Sequence, residues 1–147
     1  MTSIINSVLL GLMGPREIII VLVFSGLSLL LLIFYLLTLQ NTLELISPAN
    51  RKMPPGQVWI SLIPIVGLIW QFVMVIWIAD SLAAELTFRN MELREERPGV
   101  GIGLAYCVLF GLAFIPFVGV VTVLAGLVCW IIYWVKINEY KTQLRQG

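Results

Sequence analysis

Histidine is absent from this sequence, and charge of either sign is scarce: 9 Lys and Arg stand against 8 Asp and Glu, 12% of 147 residues. Without histidine the commonest metal ligand, the usual haem ligand and the usual general base are missing. No cofactor or metal is therefore expected. The formal net charge of +1 leaves no basic footprint, so nucleic acid is not an expected partner. Cysteine is limited to Cys107 and Cys129, both inside hydrophobic runs. They read as small buried apolar residues, with a disulfide or metal pair as the minor reading. What fills the sequence instead is apolar: 60% of residues are hydrophobic, where a soluble domain has about 45–50% apolar and about 25% charged residues. That is the composition of an integral membrane protein, with the lipid bilayer as its first partner.

A signal peptide carries basic residues ahead of its apolar stretch. In "MTSIINSVLLGLMGPRE" Arg16 comes after it. Ile4 to Met13 falls short of the roughly 20 residues a span needs, and Gly14-Pro15 breaks it. The expectation is an interfacial helix over 4–13, lying along the membrane surface.

Residues 18–39, "IIIVLVFSGLSLLLLIFYLLTL", carry no charge and form the clearest span. Ser25, Gly26 and Ser28 make one small patch where another helix could approach. The segment "QNTLELISPANRKMPPGQ" holds Pro48, Pro54, Pro55 and Gly56 and predicts an irregular loop. A second span is expected over 58–79, kinked by Pro64 near its start. Gln71 lies at its middle and should bond across helices, because a lone amide in lipid costs free energy. Residues 80–97 are rich in helix formers, with Glu85 and Arg89 paired at i,i+4. They predict a helical extension into water whose charges form a solvated face, ending before Pro98-Gly99.

Val100 to Val135 would be about 54 Å long as one helix, against a hydrocarbon core of about 30 Å. The break from Pro116 to Gly119 divides it into short spans over 100–115 and 117–135, joined by a tight hairpin. A polar helical tail follows over 136–147. The basic residues favour this division. With four spans, Arg16, Arg89, Arg94, Arg97, Lys136, Lys141 and Arg145 share one side, and Arg51 and Lys52 the other. With three spans the bias disappears. The fold expected is all-α: one four-helix integral membrane domain in a bacterial inner membrane, both termini cytoplasmic.

The pentapeptides Ile63-Pro64-Ile65-Val66-Gly67 and Ile115-Pro116-Phe117-Val118-Gly119 suggest internal repetition. In the four-span reading the repeat unit is a hairpin of spans one and two, then of spans three and four, related by an axis along the membrane normal. Gly119 is expected to need positive φ or close approach of another helix, whereas Gly67 merely sits in a kinked span. Gly99 and Gly103 form GxxxG, Gly103, Gly111 and Gly119 recur every eight residues, and Gly126 lies near that face. All are helix-packing candidates. Trp70, Trp77, Trp130 and Trp134 read as bundle core and interface belt, or as a wall for lipid or a hydrophobic ligand.

The segments "MPPGQVWISLIPIVGLIWQFVMVIWIADSL" and "IPFVG…WIIYWVKINEYKTQL" resemble small uncharacterised bacterial four-span membrane proteins with Pro-Gly-x-x-Trp and Ile-Pro-x-Val-Gly elements. The resemblance implies a class and no chemistry. No span holds an ionisable residue, and no cluster of acids, bases or nucleophiles is visible. The expected role is non-catalytic: a homo-oligomeric scaffold or an accessory subunit of a larger membrane complex. The alternative is an oligomeric channel or transporter component with its pathway between subunits.

Overall fold

The computed structural model describes residues 1–12 and 14–147, and among them every regular element is helical. The elements are α1 (Thr2–Leu12), α2 (Pro15–Leu45), a 3-10 helix (Pro55–Leu62), α3 (Val66–Phe88), α4 (Val100–Leu112) and α5 (Gly119–Gln146). Helices α2, α3 and α5 are long and apolar enough to cross a membrane. The chain divides into two compact units, Met1–Tyr35 and Leu36–Gly147.

The first unit holds α1 and the N-terminal part of α2. Every residue of α1 is exposed, as befits a short apolar helix with no protein face to cover it. Met13, the last residue of the expected interfacial helix, lies outside the described residues. From Pro15 to Phe34 only Ile18, Leu32 and Ile33 are partly covered. Ser28 Oγ turns back to the Phe24 carbonyl at 2.8 Å, and Gly26 has open space where a Cβ would stand. The small patch is thus unused within this unit.

The second unit is the core. On α2 the buried residues Leu36, Leu39 and Leu43 recur at three- and four-residue spacing, one stripe of a helix, and Ile46 just past its end is buried too. On α3 the stripe runs through Met74, Ile78, Leu82 and Leu86, and on α5 through Tyr133, Ile137, Tyr140 and Leu144. Two hairpins carry the faces of α3 and α5. The 3-10 helix turns into α3 at the first pentapeptide, and α4 turns into α5 at the second.

Several boundaries differ from those the sequence suggested. The first apolar helix is continuous to Leu45, because nothing before Pro48 interrupts it. Residues 58–79 are not one kinked span: the 3-10 helix folds back along α3, with Trp70 Nε1 donating to the Gln57 carbonyl, so the chain reverses between Leu62 and Val66. The helical extension stops at Phe88. There Asn90 takes a positive φ of 54°, its N–H reaches the Thr87 carbonyl at 3.1 Å, and the Met91 N–H reaches that of Leu86 at 2.9 Å. This pair of bonds closes a helix C-terminus without glycine, since asparagine tolerates the left-handed region. Residues 136–146 are helical, as expected, and continue α5 without a break.

Candidate functional site

Two features stand out: a polar lock at one end of the second unit, and two matching turns at the hairpin tips.

The lock is built around Glu85, whose side chain is fully buried. Burial of a carboxylate is costly unless its oxygens are satisfied, and here they are. The Ser47 N–H donates at 3.1 Å, Ser47 Oγ at 3.0 Å, Asn50 Nδ2 at 2.8 Å and Arg89 Nε at 2.7 Å. The rest of the Arg89 guanidinium spans two other helices. Its Nη1 donates to the Leu144 carbonyl and its Nη2 to the Leu45 carbonyl, both at 2.9 Å. One arginine thus ties the C-terminal ends of α2, α3 and α5, where helix dipoles favour a cation. Arg51 serves the end of α2 in the same way, donating to the carbonyls of Leu43 at 2.9 Å and Ile46 at 2.8 Å. The Lys52 N–H donates to Ser81 Oγ at 2.9 Å, and Ser81 Oγ to the Trp77 carbonyl at 2.6 Å.

The connector after α3 is sewn into the same end. Arg97 pairs with Asp80 at 2.8 Å. Lys136 pairs with Glu95, which also accepts from the Gly99 N–H at 3.1 Å. The Lys136 ammonium holds the Glu95 carboxyl below its ordinary value, against the opposing effect of burial, with help from the Gly99 N–H. Gln143 Nε2 donates to the Glu92 carbonyl at 3.0 Å. The charges of 80–97 are therefore not a plain solvated face. Asp80, Glu85, Arg89, Glu95 and Arg97 hold elements together.

This geometry overturns one expectation. Asn50 and Arg89 bind the same carboxylate, so they cannot lie on opposite faces of a bilayer. Arg51 and Lys52 stand at the Glu85 end, not opposite it. The four-span charge tally assumed the reverse, because it read 58–79 as a full crossing.

The turns are close copies. In each pentapeptide the third residue has positive φ: 66° at Ile65 and 74° at Phe117. In each the final glycine donates its N–H to the first isoleucine, Gly67 to Ile63 at 2.6 Å and Gly119 to Ile115 at 3.1 Å. Each first isoleucine donates three residues back, to Ile60 and to Leu112, at 3.0 Å. A Cβ on Gly67 would strike the Ser61 carbonyl oxygen, and one on Gly119 would lie 2.7 Å from that of Ala113. Both glycines are thus required by close approach of their own hairpin's backbone, not by positive φ and not by a neighbouring helix. The repeat is real in conformation, but its unit differs from the one expected. It pairs the 3-10 helix with α3 and α4 with α5, and α2 lies outside it. Pro64 and Pro116 stand at turn tips, where the missing N–H costs nothing.

The other candidates separate. Gly103 is packed: a Cβ there would strike Val75 Cγ1 and the Tyr133 ring. Gly126 sits against Phe110, 3.0 Å from where its Cβ would be. Gly99 has φ +74° and caps α4 beside Tyr133. Gly111 faces open space, so the eight-residue spacing does not mark one packed face. Gln71 is half-buried and makes no side-chain hydrogen bond among the described residues. The tryptophans form two pairs. Trp70 and Trp77 meet edge to face at 5.8 Å, and Trp130 and Trp134 are tilted at 5.4 Å. Trp70 Nε1 donates to the Gln57 carbonyl at 2.9 Å and Trp134 Nε1 to Thr38 Oγ1 at 3.0 Å. Trp59, beside the first turn, reaches Gln40 Oε1 at 2.6 Å.

Ser47, Asn50 and Ser81 entered the lock without a sequence signal beyond a polar Pro-rich loop. The Glu85–Arg89 spacing was the visible half. Cys107 and Cys129 are free thiols, not a pair. Among the described residues no group of three or more Cys, Asp or Glu is placed to hold a metal. Compared with protein-family models, with curated proteins and with solved structures, the chain matches none.

Proposed function

We propose that this chain is a non-catalytic integral membrane module, a scaffold or accessory subunit, inserted from the cytoplasmic face by two apolar hairpins and tied to the transmembrane helix α2 by the Glu85–Arg89 lock. The observation that carries the reading is the use made of the charges. Arg89 gathers the ends of α2, α3 and α5, and Arg51, Arg97 and Lys136 each hold a neighbouring element. The acids and bases with defined partners are occupied in binding the chain to itself.

The lock also supports a topology. With the Arg51 loop at the Glu85 end, Arg16 is the one basic side chain at the other end of α2, and the remaining eight of the 9 Lys and Arg lie at the lock end or on the segments tied to it. That imbalance favours a cytoplasmic lock and C-terminus. The tips fit hydrocarbon. "LIPIVG" and "FIPFVG" carry no polar side chain, and their turns satisfy several backbone donors locally, as lipid demands. Homo-oligomerisation or docking to other membrane subunits is the expected use of such a module.

The mass of the purified 16.5 kDa chain in detergent, with bound lipid accounted for, tests the scaffold reading. A discrete multiple, or foreign membrane subunits in fixed ratio, supports it. A monomer that conducts ions when reconstituted in liposomes contradicts it and favours a transport role.

A further inference from the structure

We infer that the second unit acts as a one-sided wedge in the bilayer, so that the protein favours membrane that curves with its lock-bearing face convex. The inference rests on the inserted-hairpin topology proposed above.

The depth of the hairpins sets the argument. On α3 the first charged residue met from the tip is Asp80, and on α5 it is Lys136. From Val66 to Asp80 an α-helix rises about 21 Å, and from Gly119 to Lys136 about 26 Å. The returning arms are no longer. The 13 residues of α4 rise about 20 Å, and the 8 residues of the 3-10 helix about 16 Å. A hydrocarbon core is about 30 Å thick, so one leaflet is about 15 Å. All four arms therefore fill the near leaflet, and their tips stop inside the far one. The tips agree with that depth: Phe117, Phe114 and Ile65 are fully or largely exposed, and each is apolar.

Four arms, each about 10 Å across, expand the near leaflet. The far leaflet receives less: about 11 Å of α5, about 6 Å of α3, about 5 Å of α4 and almost none of the 3-10 helix. An excess of area in one leaflet is relieved when that leaflet is on the outside of a bend. The lock makes the wedge stiff, because Arg89, Arg97 and Lys136 fix the bases of the hairpins to one another and to α2. The ligand is thus a lipid surface of a given curvature, not a particular headgroup.

The test uses the full chain, labelled at its C-terminus, in giant vesicles of phosphatidylcholine from which narrow tethers are pulled. A membrane-impermeant quencher reports which molecules have the C-terminus outside. Those molecules should be enriched severalfold on the tether over the flat membrane, and the oppositely oriented ones depleted. A Phe117→Cys variant with Cys107→Ala and Cys129→Ala, labelled with an environment-sensitive dye, reports tip depth in parallel. A tip quenched by mid-chain brominated lipid together with enrichment supports the wedge. A buried tip with no enrichment overturns the wedge and leaves the topology standing. A tip reached by aqueous quencher from the far side means that the hairpins cross fully, and overturns both.

Discussion

Ile65 and Phe117 occupy the same place in two turns 52 residues apart in number: each is the third residue of Ile-Pro-x-Val-Gly, and each has positive φ. At Ile65 the angles are φ 66° and ψ −60°, and the Val66 N–H meets the Pro64 carbonyl at 2.7 Å. This is a γ-turn of the positive-φ kind, which is rare and strained. A β-branched residue there carries a steric cost of roughly 1–2 kcal/mol.

Ile65→Gly should therefore stabilise the first hairpin by about 1 kcal/mol once the lost apolar burial is set against the relieved strain. The melting temperature of the purified chain reads this directly. An unchanged or lower value would show that Ile65 does not hold a left-handed conformation in the membrane.

The two glycines should behave alike. Sequence alone suggested that Gly119→Val would be far worse than Gly67→Val, with Gly67 in a kinked span. Both now face a carbonyl of their own hairpin, and the approach at Gly67 is the closer. Gly67→Val should lose at least as much of the monodisperse peak in size-exclusion chromatography as Gly119→Val. Wild-type behaviour of Gly67→Val would rule out the first turn as described.

Arg89→Ala should be the most damaging polar substitution. Removing one partner of a buried ion pair costs about 3–5 kcal/mol. Arg89 keeps 29% of its side chain exposed, so a value near 2 kcal/mol is expected. Arg89→Lys should recover little, because an ammonium cannot serve Glu85, Leu45 and Leu144 at once. Ser47→Ala should cost only about 1 kcal/mol. Denaturation in mixed micelles ranks the three. Full rescue by lysine would reduce the lock to a simple charge contact.

Gly103→Ala and Gly111→Ala make a matched pair on α4. The first introduces a Cβ against Val75 and Tyr133, and the second meets open space. Overpacking costs typically 1–3 kcal/mol, while Gly→Ala within a helix gains roughly 1 kcal/mol. Thermal melts should place the two variants on opposite sides of wild type. If they coincide, α3, α4 and α5 do not pack through Gly103.

Stability should fall in acid, partly through Glu95. Its carboxyl sits below the ordinary glutamate value because Lys136 and the Gly99 N–H hold it charged. A depressed folded-state value means that the contribution is complete above the ordinary value and is lost as pH falls through the lower, folded one. Glu95→Gln should flatten that limb of the melting-temperature profile. An identical acid limb in the variant would remove Glu95 from the account.

Part of this was legible in the sequence and part was not. Composition and uncharged runs pointed to helices long and apolar enough to cross a membrane, and α2, α3 and α5 are such helices. The division of Val100 to Val135 at Pro116 followed from length. The first turn was missed because Val58 to Ala79 has the length and polarity of a full span, and a proline near a helix start reads as a kink. The positive φ at Ile65 and the contacts of Gln57 with Trp70 and of Lys52 with Ser81 distinguish reversal from kink. The lock was half visible. Glu85 and Arg89 were paired by spacing, but their contacts with Ser47, Asn50 and Leu144 bridge 35 to 55 residues, and no local pattern encodes them. The eight-residue glycine spacing misled, since Gly111 shares a periodicity with Gly103 and not its neighbours.

The sidedness of Lys52 and Glu92 tests the central claim most directly. Each is exposed, and the four-span charge tally puts the two on opposite faces although both flank the lock. In a background of Cys107→Ala and Cys129→Ala, Lys52→Cys and Glu92→Cys are labelled with an impermeant maleimide in intact and in permeabilised cells. The account predicts that both stay unlabelled until permeabilisation. Labelling of Lys52→Cys from outside with protection of Glu92→Cys would contradict it, because the Asn50 and Arg89 side chains could not then share the Glu85 carboxylate.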